Sequence, residues 1–241
     1  SDELVTTLLV TEDIRFYNHS GIDLKGLIRA TYGVGKNILT FGSSGLEGGG
    51  STITQQLAKN LFKIRREKKG SLSGVPFLGL IISKVKEWIV AVKLEEFYTK
   101  KEILAMYLNT AEYGSNSYGI KVAAKTYFNK LPSELNYNES SIIVGLLNKP
   151  TKYNPYFNPD NAIEKRAEIF YNLYKYEIVD RKYYDSLKLM GLELNYKVEN
   201  QNVGQATYFR TVVRNYLINW AKTNGYDLFS DGLKIHTTID S

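Results

Sequence analysis

Cysteine is absent from the 241 residues, and histidine occurs only twice, as His19 and His236. The first absence excludes disulfides and thiolate-bound metals, and leaves the redox compartment open. The second makes a His-rich metal site implausible. No stretch reaches the roughly 18 apolar residues that a membrane-spanning helix needs. No signal peptide is visible, and the Ser1 start implies trimming. Internal repeats and low-complexity tracts are also missing. What is present is ordinary for a globular chain: 43% hydrophobic and 23% charged residues, enough for one large or two small domains. Cations exceed acids, giving a net charge of +6. Such an excess points to an anionic partner, whether nucleic acid, anionic lipid or a phosphorylated substrate.

Helical periodicity runs through most of the sequence. Asp2 can cap a first helix from about Glu3 to Asn18, with Val5, Leu8, Leu9, Glu12 and Phe16 on one stripe. Glu12 therefore interrupts an apolar face. A partly buried carboxylate there is a stronger base, or simply the partner of a nearby Arg or Lys. Asp23 can cap the next helix. Residues 33–50 contain seven glycines and read as a mobile loop. This loop leads through Gly48-Gly49-Gly50-Ser51-Thr52 into another helix. Thr52 and Gln55 fit a capping box, Ile53, Leu57, Leu61 and Ile64 form a buried stripe, and Gln56, Lys59, Asn60 and Lys63 share a polar face. A Gly-rich loop entering a helix, with a lysine one to two turns in, seats phosphate oxygens. The same glycines also suit a plain turn, and they match neither the P-loop nor the dinucleotide fingerprint.

The cations of Lys63-Ile64-Arg65-Arg66-Glu67-Lys68-Lys69 suit a solvated face, a nucleic acid or a lipid headgroup. The apolar run 75–82 is too short to span a bilayer, and fits either a core segment or the membrane interface. Between residues 88 and 92 the next helix is apolar nearly all round, which predicts central burial. Thr99 to Glu102 is a second capping box, opening a helix through Asn109. Asp160 and Asp180 can cap helices ending near Lys175 and Met190. Residues 207–223 read as helical, and residues 232–240 alternate like a strand.

Five stretches carry a family resemblance. Residues Glu12 to Asp23 are similar to EDxxFxxHxGxD, and Gly49 to Asn60 to GGSTITQQLxKN. Lys84, Glu87 and the Leu94-Glu95 pair resemble RKxxE followed by AxxLE, with Ser83 where Arg is usual. Residues 101–109 look like KxEILxxYLN, and residues 138–150 resemble a fifth motif in which Ser140 and Ser141 replace small or apolar residues. Together these resemble the peptidoglycan glycosyltransferases of glycosyltransferase family 51, found in class A penicillin-binding proteins and monofunctional transglycosylases. The match is dense over residues 3–160 and thin beyond.

The resemblance implies a mainly α, lysozyme-like bilobal fold, with a small membrane-facing lobe and a short β segment at the C-terminus. Residues 1–190 would be the glycosyltransferase domain, and 191–241 a linker leading toward a transpeptidase domain. It implies polymerisation of lipid II into β-1,4 glycan with inversion and release of undecaprenyl pyrophosphate. Glu12 would be the base and Glu87 a second catalytic carboxylate that orients cations or holds a divalent ion. Ser51, Thr52, Gln56, Lys59, Asn60, Arg66 and Lys84 would bind substrate, with the cations neutralising the pyrophosphate. His19 reads as a structural hydrogen-bonder, and the fourth and fifth motifs as scaffold. No resident metal site is expected, although Mg or Mn at the pyrophosphate is common in the family. The implied partners are lipid II, the growing glycan strand and a membrane surface, with no nucleic acid. The implied location is the outer face of a bacterial membrane, with the native anchor outside this chain. The implied inhibitor is moenomycin.

Three other functions compete. A lysozyme-like hydrolase or lytic transglycosylase could use two glutamates, but its reaction releases no phosphate to explain the cations. A penicillin-reactive transpeptidase would need more than Ser83-Lys84-Val85-Lys86, and neither an S-x-N partner nor K-T-G is present. A basic binding module would not need the acidic motifs.

Overall fold

A computed structural model describes residues 1–28, 50–62, 76–198, 207–227 and 233–237. The expected glycine-rich loop lies almost entirely outside these residues, as do Ile64 and the basic cluster with Arg66. The chain divides into two compact units, Ser1–Val198 and Glu199–Ser241. In the second unit a helix spans Thr207–Asn224, close to the predicted 207–223. Residues 233–237 carry no strand, and the flanks of the expected strand lie outside the described residues.

The first unit is mainly helical. Its α1 spans Asp2–Glu12, α2 Ile53–Phe62, α3 Pro76–Phe97, α4 Lys100–Thr110, α5 Ile120–Phe128, α6 Tyr137–Asn148, α7 Pro159–Lys175 and α8 Arg181–Leu189. Among the described residues the extended pairing is limited to one isolated bridge, between Glu112 and Tyr118. Helix α1 packs on α6 and α7, α2 lies against α3 and α4, and α7 carries α8. The main core gathers Leu8, Phe16, Ile53, Leu57, Ile103, Tyr107, Tyr127, Ile143 and Leu146. Val10, Phe170, Leu173, Val179 and Leu187 form a second cluster under α8.

Side-chain caps set many boundaries. Both halves of the Thr99–Glu102 capping box form at α4, and Asn136 with Glu139 makes another at α6. Asp180 caps α8 through the Tyr183 amide. At α1 the cap is Ser1 rather than Asp2, and at α7 Asn158 takes the position while Asp160 sits in the first turn. The first helix also ends earlier than its apolar stripe implies. It stops at Glu12, and Phe16 enters the core from a separate 3-10 turn, Phe16–Asn18. The cause is Asp13, whose side chain is drawn away to the start of α2.

Helix α3 corrects a second expectation. The run from 76 and the segment from 84 form one helix of 22 residues, and its middle is not central. Glu87, Ala91 and Leu94 are buried, while Ile82, Val85, Ile89 and Val92 are 41%, 41%, 54% and 42% exposed. A helix apolar on all sides does not specify which side packs. The side toward α2 is buried, and the opposite side is left as an apolar row beside the exposed Lys86 and Lys93. Leu61 on α2 is likewise exposed rather than part of the buried stripe. Among the described residues no helix is long and apolar enough to cross a membrane.

After α8 the chain runs as an extended strap over the first unit. Arg166 donates to the carbonyls of Met190 (2.8 Å) and Gly191 (2.7 Å), and Asn138 also donates to Gly191 (3.0 Å). Further on, the amides of Asn195 and Lys197 donate to the carbonyls of Tyr127 and Thr126. Tyr196 stacks on Tyr156 with centroids 4.1 Å apart, and Leu192 and Leu194 pack on the main core.

Ser140 and Ser141 are fully buried on α6, and neither hydroxyl has a hydrogen-bond partner. A buried polar group without a partner costs about 1–3 kcal/mol. Changing each serine to Ala is therefore expected to raise the melting temperature by roughly 2–4 °C per kcal/mol recovered. A thermal melt with no gain from either variant would show that the buried hydroxyls carry no such cost.

Candidate functional site

Two adjacent acids at the end of α1 take different tasks. Glu12 is half-buried at the carbonyl end of the helix, where the dipole opposes a negative charge. A donor offsets this: Gln56 Nε2 donates to Glu12 Oε2 at 2.8 Å. Asp13 is buried and turns away. It accepts the Ile53 amide at the start of α2 (3.1 Å), and His19 Nε2 lies 3.0 Å from both of its oxygens. Because a carboxylate only accepts, Nε2 carries the proton. His19 is thus a structural hydrogen-bonder, as its position in the sequence implies.

The loop after His19 is tied to the other elements of the site. Arg15 donates twice to Asp23, whose second oxygen caps the helical stretch 24–28 through the Gly26 amide. Burial alone would raise the Asp23 pKa, but the Arg15 hydrogen bond and the Gly26 amide outweigh it and hold the carboxyl below its ordinary value. The Gly21 carbonyl accepts both Thr52 Oγ1 (2.7 Å) and Gln55 Nε2 (3.2 Å). Thr52 also caps α2 by accepting the Gln55 amide (3.1 Å). Only half of the expected capping box forms: the Gln55 side chain reaches Gly21 through its Nε2 and does not accept the Thr52 amide. Gly21 itself has φ +87°, and an added Cβ would lie 2.8 Å from the carbonyl carbon and oxygen of Ala91 in α3. Lys100 completes the knot by donating to the His19 carbonyl (2.6 Å) and to Glu95 (2.7 Å). Glu95 accepts in turn from Thr54 Oγ1 (2.6 Å).

These ties hold a cleft of about 220 Å³. Glu12 enters it from α1. Ser51, Gln55 and Gln56 come from the start of α2 and Lys59 from its last turn, Lys84 and Glu87 from α3, and Leu147 and Asn148 from the last turn of α6. Lys84 Nζ donates to Ser51 Oγ (2.8 Å) and to Glu87 (2.7 Å). Glu87 is 1% exposed, so Lys84 is held by a partner that does not move into solvent. The amides of Ile53 and Gln55 are already committed to Asp13 and Thr52. An anion at this helix start would therefore be held chiefly by side chains, with Lys84 and Lys59 the nearest cations on the wall.

Of the residues singled out from sequence, Glu12, Ser51, Gln56, Lys59, Lys84 and Glu87 meet in the cleft. Thr52 is buried beneath it as a cap. Asn60 is exposed and does not line it. Arg66 lies outside the described residues. Sequence reasoning missed Gln55, Leu147 and Asn148. Asn148 had one usable signal, a polar residue closing an otherwise apolar helix. Among the described residues no three His, Asp or Glu side chains are grouped to hold a metal, and the Glu87 carboxylate is engaged by Lys84.

Known proteins resemble this chain. The family described as "Transglycosylase" matches residues 1–174. Penicillin-binding protein 1A of Aquifex aeolicus is 33% identical over 239 residues, 99% of this chain and 30% of that protein. The protein of the same name from Escherichia coli is 32% identical over 237 residues, 98% of this chain and 25% of that protein. The chain thus spans under a third of the length of these relatives. The crystal structure of penicillin-binding protein 1A from Haemophilus influenzae aligns over 51% of this chain and 18% of its own, with a TM-score of 0.41 and 31% identity.

Proposed function

Because this chain belongs to the transglycosylase family, as a peptidoglycan glycosyltransferase domain, we propose that its cleft polymerises lipid II into β-1,4 glycan. The observation that carries this reading is the pairing of one amide-held carboxylate, Glu12, with the cations Lys59 and Lys84 along a single cleft. The reaction needs both. The 4-hydroxyl of the acceptor sugar is a weak nucleophile, and Glu12 takes its proton as the oxygen attacks the donor's anomeric carbon. The new C–O bond forms on the face opposite the departing group, which gives inversion. Undecaprenyl pyrophosphate leaves with the bond electrons. It is a good leaving group and needs its charge balanced more than it needs an acid, and Lys84 and Lys59 supply that balance. Glu87 orients Lys84. Were Mg or Mn to accompany the pyrophosphate, the phosphate oxygens would carry it, and Glu87 could serve as a protein ligand only in place of its bond to Lys84. Ser51 and Gln56 complete the contacts to substrate. Asn60 and Arg66 would act only where the substrate extends past the cleft.

A membrane surface is the proposed setting, since the lipid carrier resides there. The exposed row of Ile82, Val85, Ile89 and Val92 beside Lys86 and Lys93 suits an interface of apolar chains under anionic headgroups. We place the domain on the outer face of a bacterial membrane, in a two-lobed, lysozyme-like arrangement, within a longer protein that also carries a transpeptidase domain. Incubation with labelled lipid II tests the reading. Glycan ladders and released undecaprenyl pyrophosphate are expected, with no labelling of this domain by fluorescent penicillin. Shortening of existing glycan, with lipid II untouched, would identify a hydrolase instead.

A further inference from the structure

Behind the cleft, a buried tyrosine completes a chain of hydrogen bonds. Tyr107 on α4 is 2% exposed, and its hydroxyl donates to Gln56 Oε1 at 2.9 Å. The other end of the same amide donates to Glu12 Oε2 at 2.8 Å. We propose that Tyr107 is a positioning residue that fixes the Gln56 amide so that its NH₂ faces Glu12, making the ionised carboxylate the hydrogen-bond-complete state of the site. This rests on the reading of Glu12 as the base.

Donors and acceptors must alternate along this chain. An ionised carboxylate only accepts, so Gln56 must present its nitrogen to Glu12 and its oxygen to Tyr107. Were Glu12 protonated on Oε1, its Oε2 would still accept from Gln56, but as a neutral oxygen that loses the charge-assisted part of the bond. Protonated on Oε2, it would present an O–H there, best met by the amide oxygen. That requires the amide to turn over, which points its NH₂ at Tyr107 and leaves the buried hydroxyl proton without its acceptor. Leaving a buried donor unpaired is costly. The relay therefore penalises protonation of Glu12 through the Gln56 amide on the cleft wall, held in turn by the buried Tyr107. Tyr107 is suited to the task because it stays a donor. Burial first, then the charges of Glu12 and Tyr113, push its pKa well above the ordinary range. The other charged groups lining the cleft with Glu12 are Lys59 from α2 and Lys84 and Glu87 from α3, while α6 contributes the uncharged Leu147 and Asn148.

The test is the pH dependence of kcat/KM for lipid II polymerisation by the wild type, Tyr107→Phe and Glu12→Gln. Phe fills the same space and removes only the hydroxyl. Its acid limb is expected to move up by about one pH unit, a loss of roughly tenfold below the limb that recovers to near wild type at alkaline pH. A structural defect would lower the rate at every pH alike. A Tyr107→Phe profile parallel to wild type, with Glu12→Gln inactive, overturns the relay and leaves the base assignment standing. Near-normal activity of Glu12→Gln overturns both. If circular dichroism shows Tyr107→Phe unfolded, Gln56→Met serves instead, since it can neither donate to Glu12 nor accept from Tyr107. The same displaced limb is expected, and an unmoved limb counts against the proposal.

Discussion

Glu12→Gln should lower the rate of glycan polymerisation by about 10²–10⁴-fold, the usual worth of a positioned general base. The amide is nearly isosteric with the carboxylate, so the fold should survive. The contacts that tie the end of α1 to the first amide of α2 and to His19 belong to Asp13, while Glu12 accepts from the Gln56 side-chain amide. Binding of lipid II should persist, because the cations that would hold its pyrophosphate lie on α2 and α3. The decisive comparison is therefore turnover against binding, by initial rates of polymer formation and by equilibrium binding of labelled lipid II. Loss of turnover with binding retained is the expected pattern. A variant that polymerises near normally would remove Glu12 from the chemistry.

Gly21→Ala should cost far more stability than the addition of a single methyl group usually does. At φ +87° an L side chain costs about 1–2 kcal/mol. The added Cβ would also sit 2.8 Å from two backbone atoms of Ala91, which belong to a helix and cannot yield as a flexible side chain would. Overpacking of that kind costs about 1–3 kcal/mol. The two together give roughly 2–5 kcal/mol, which chemical denaturation can read directly. Activity should fall even where the protein remains folded. The Gly21 carbonyl receives Thr52 and Gln55, so moving it shifts the start of α2, and with it Ser51 and Gln56. Stability within about 0.5 kcal/mol of wild type, with full activity, would show that the loop yields freely.

Much of this site can be read from sequence because its parts sit on local signals. Glu12 is a charge in an apolar stripe, Ser51 to Lys59 surround a helix start, and Lys84 and Glu87 are one turn apart. Each signal survives without knowledge of the tertiary fold, and the match to family motifs joins them. What stays hidden depends on contacts between distant segments. Nothing in the residues around Asp13 reveals that its carboxylate will cap α2, so the early end of α1 could not be foreseen. The facing of α3 is set by which neighbour arrives, since its own apolar residues surround the axis. Tyr107 looks like one more core aromatic in the sequence, because its partner Gln56 lies on a different helix.

The strap after α8 bears on how the gene can be cut. A stop codon after Leu189 would deprive Arg166 of two of the oxygens that its guanidinium grips and Asn138 of one. It would also strip Tyr156 of its stacked ring. An expression boundary placed after Val198 keeps these partners together and should yield more recoverable protein than one placed at the end of the last helix.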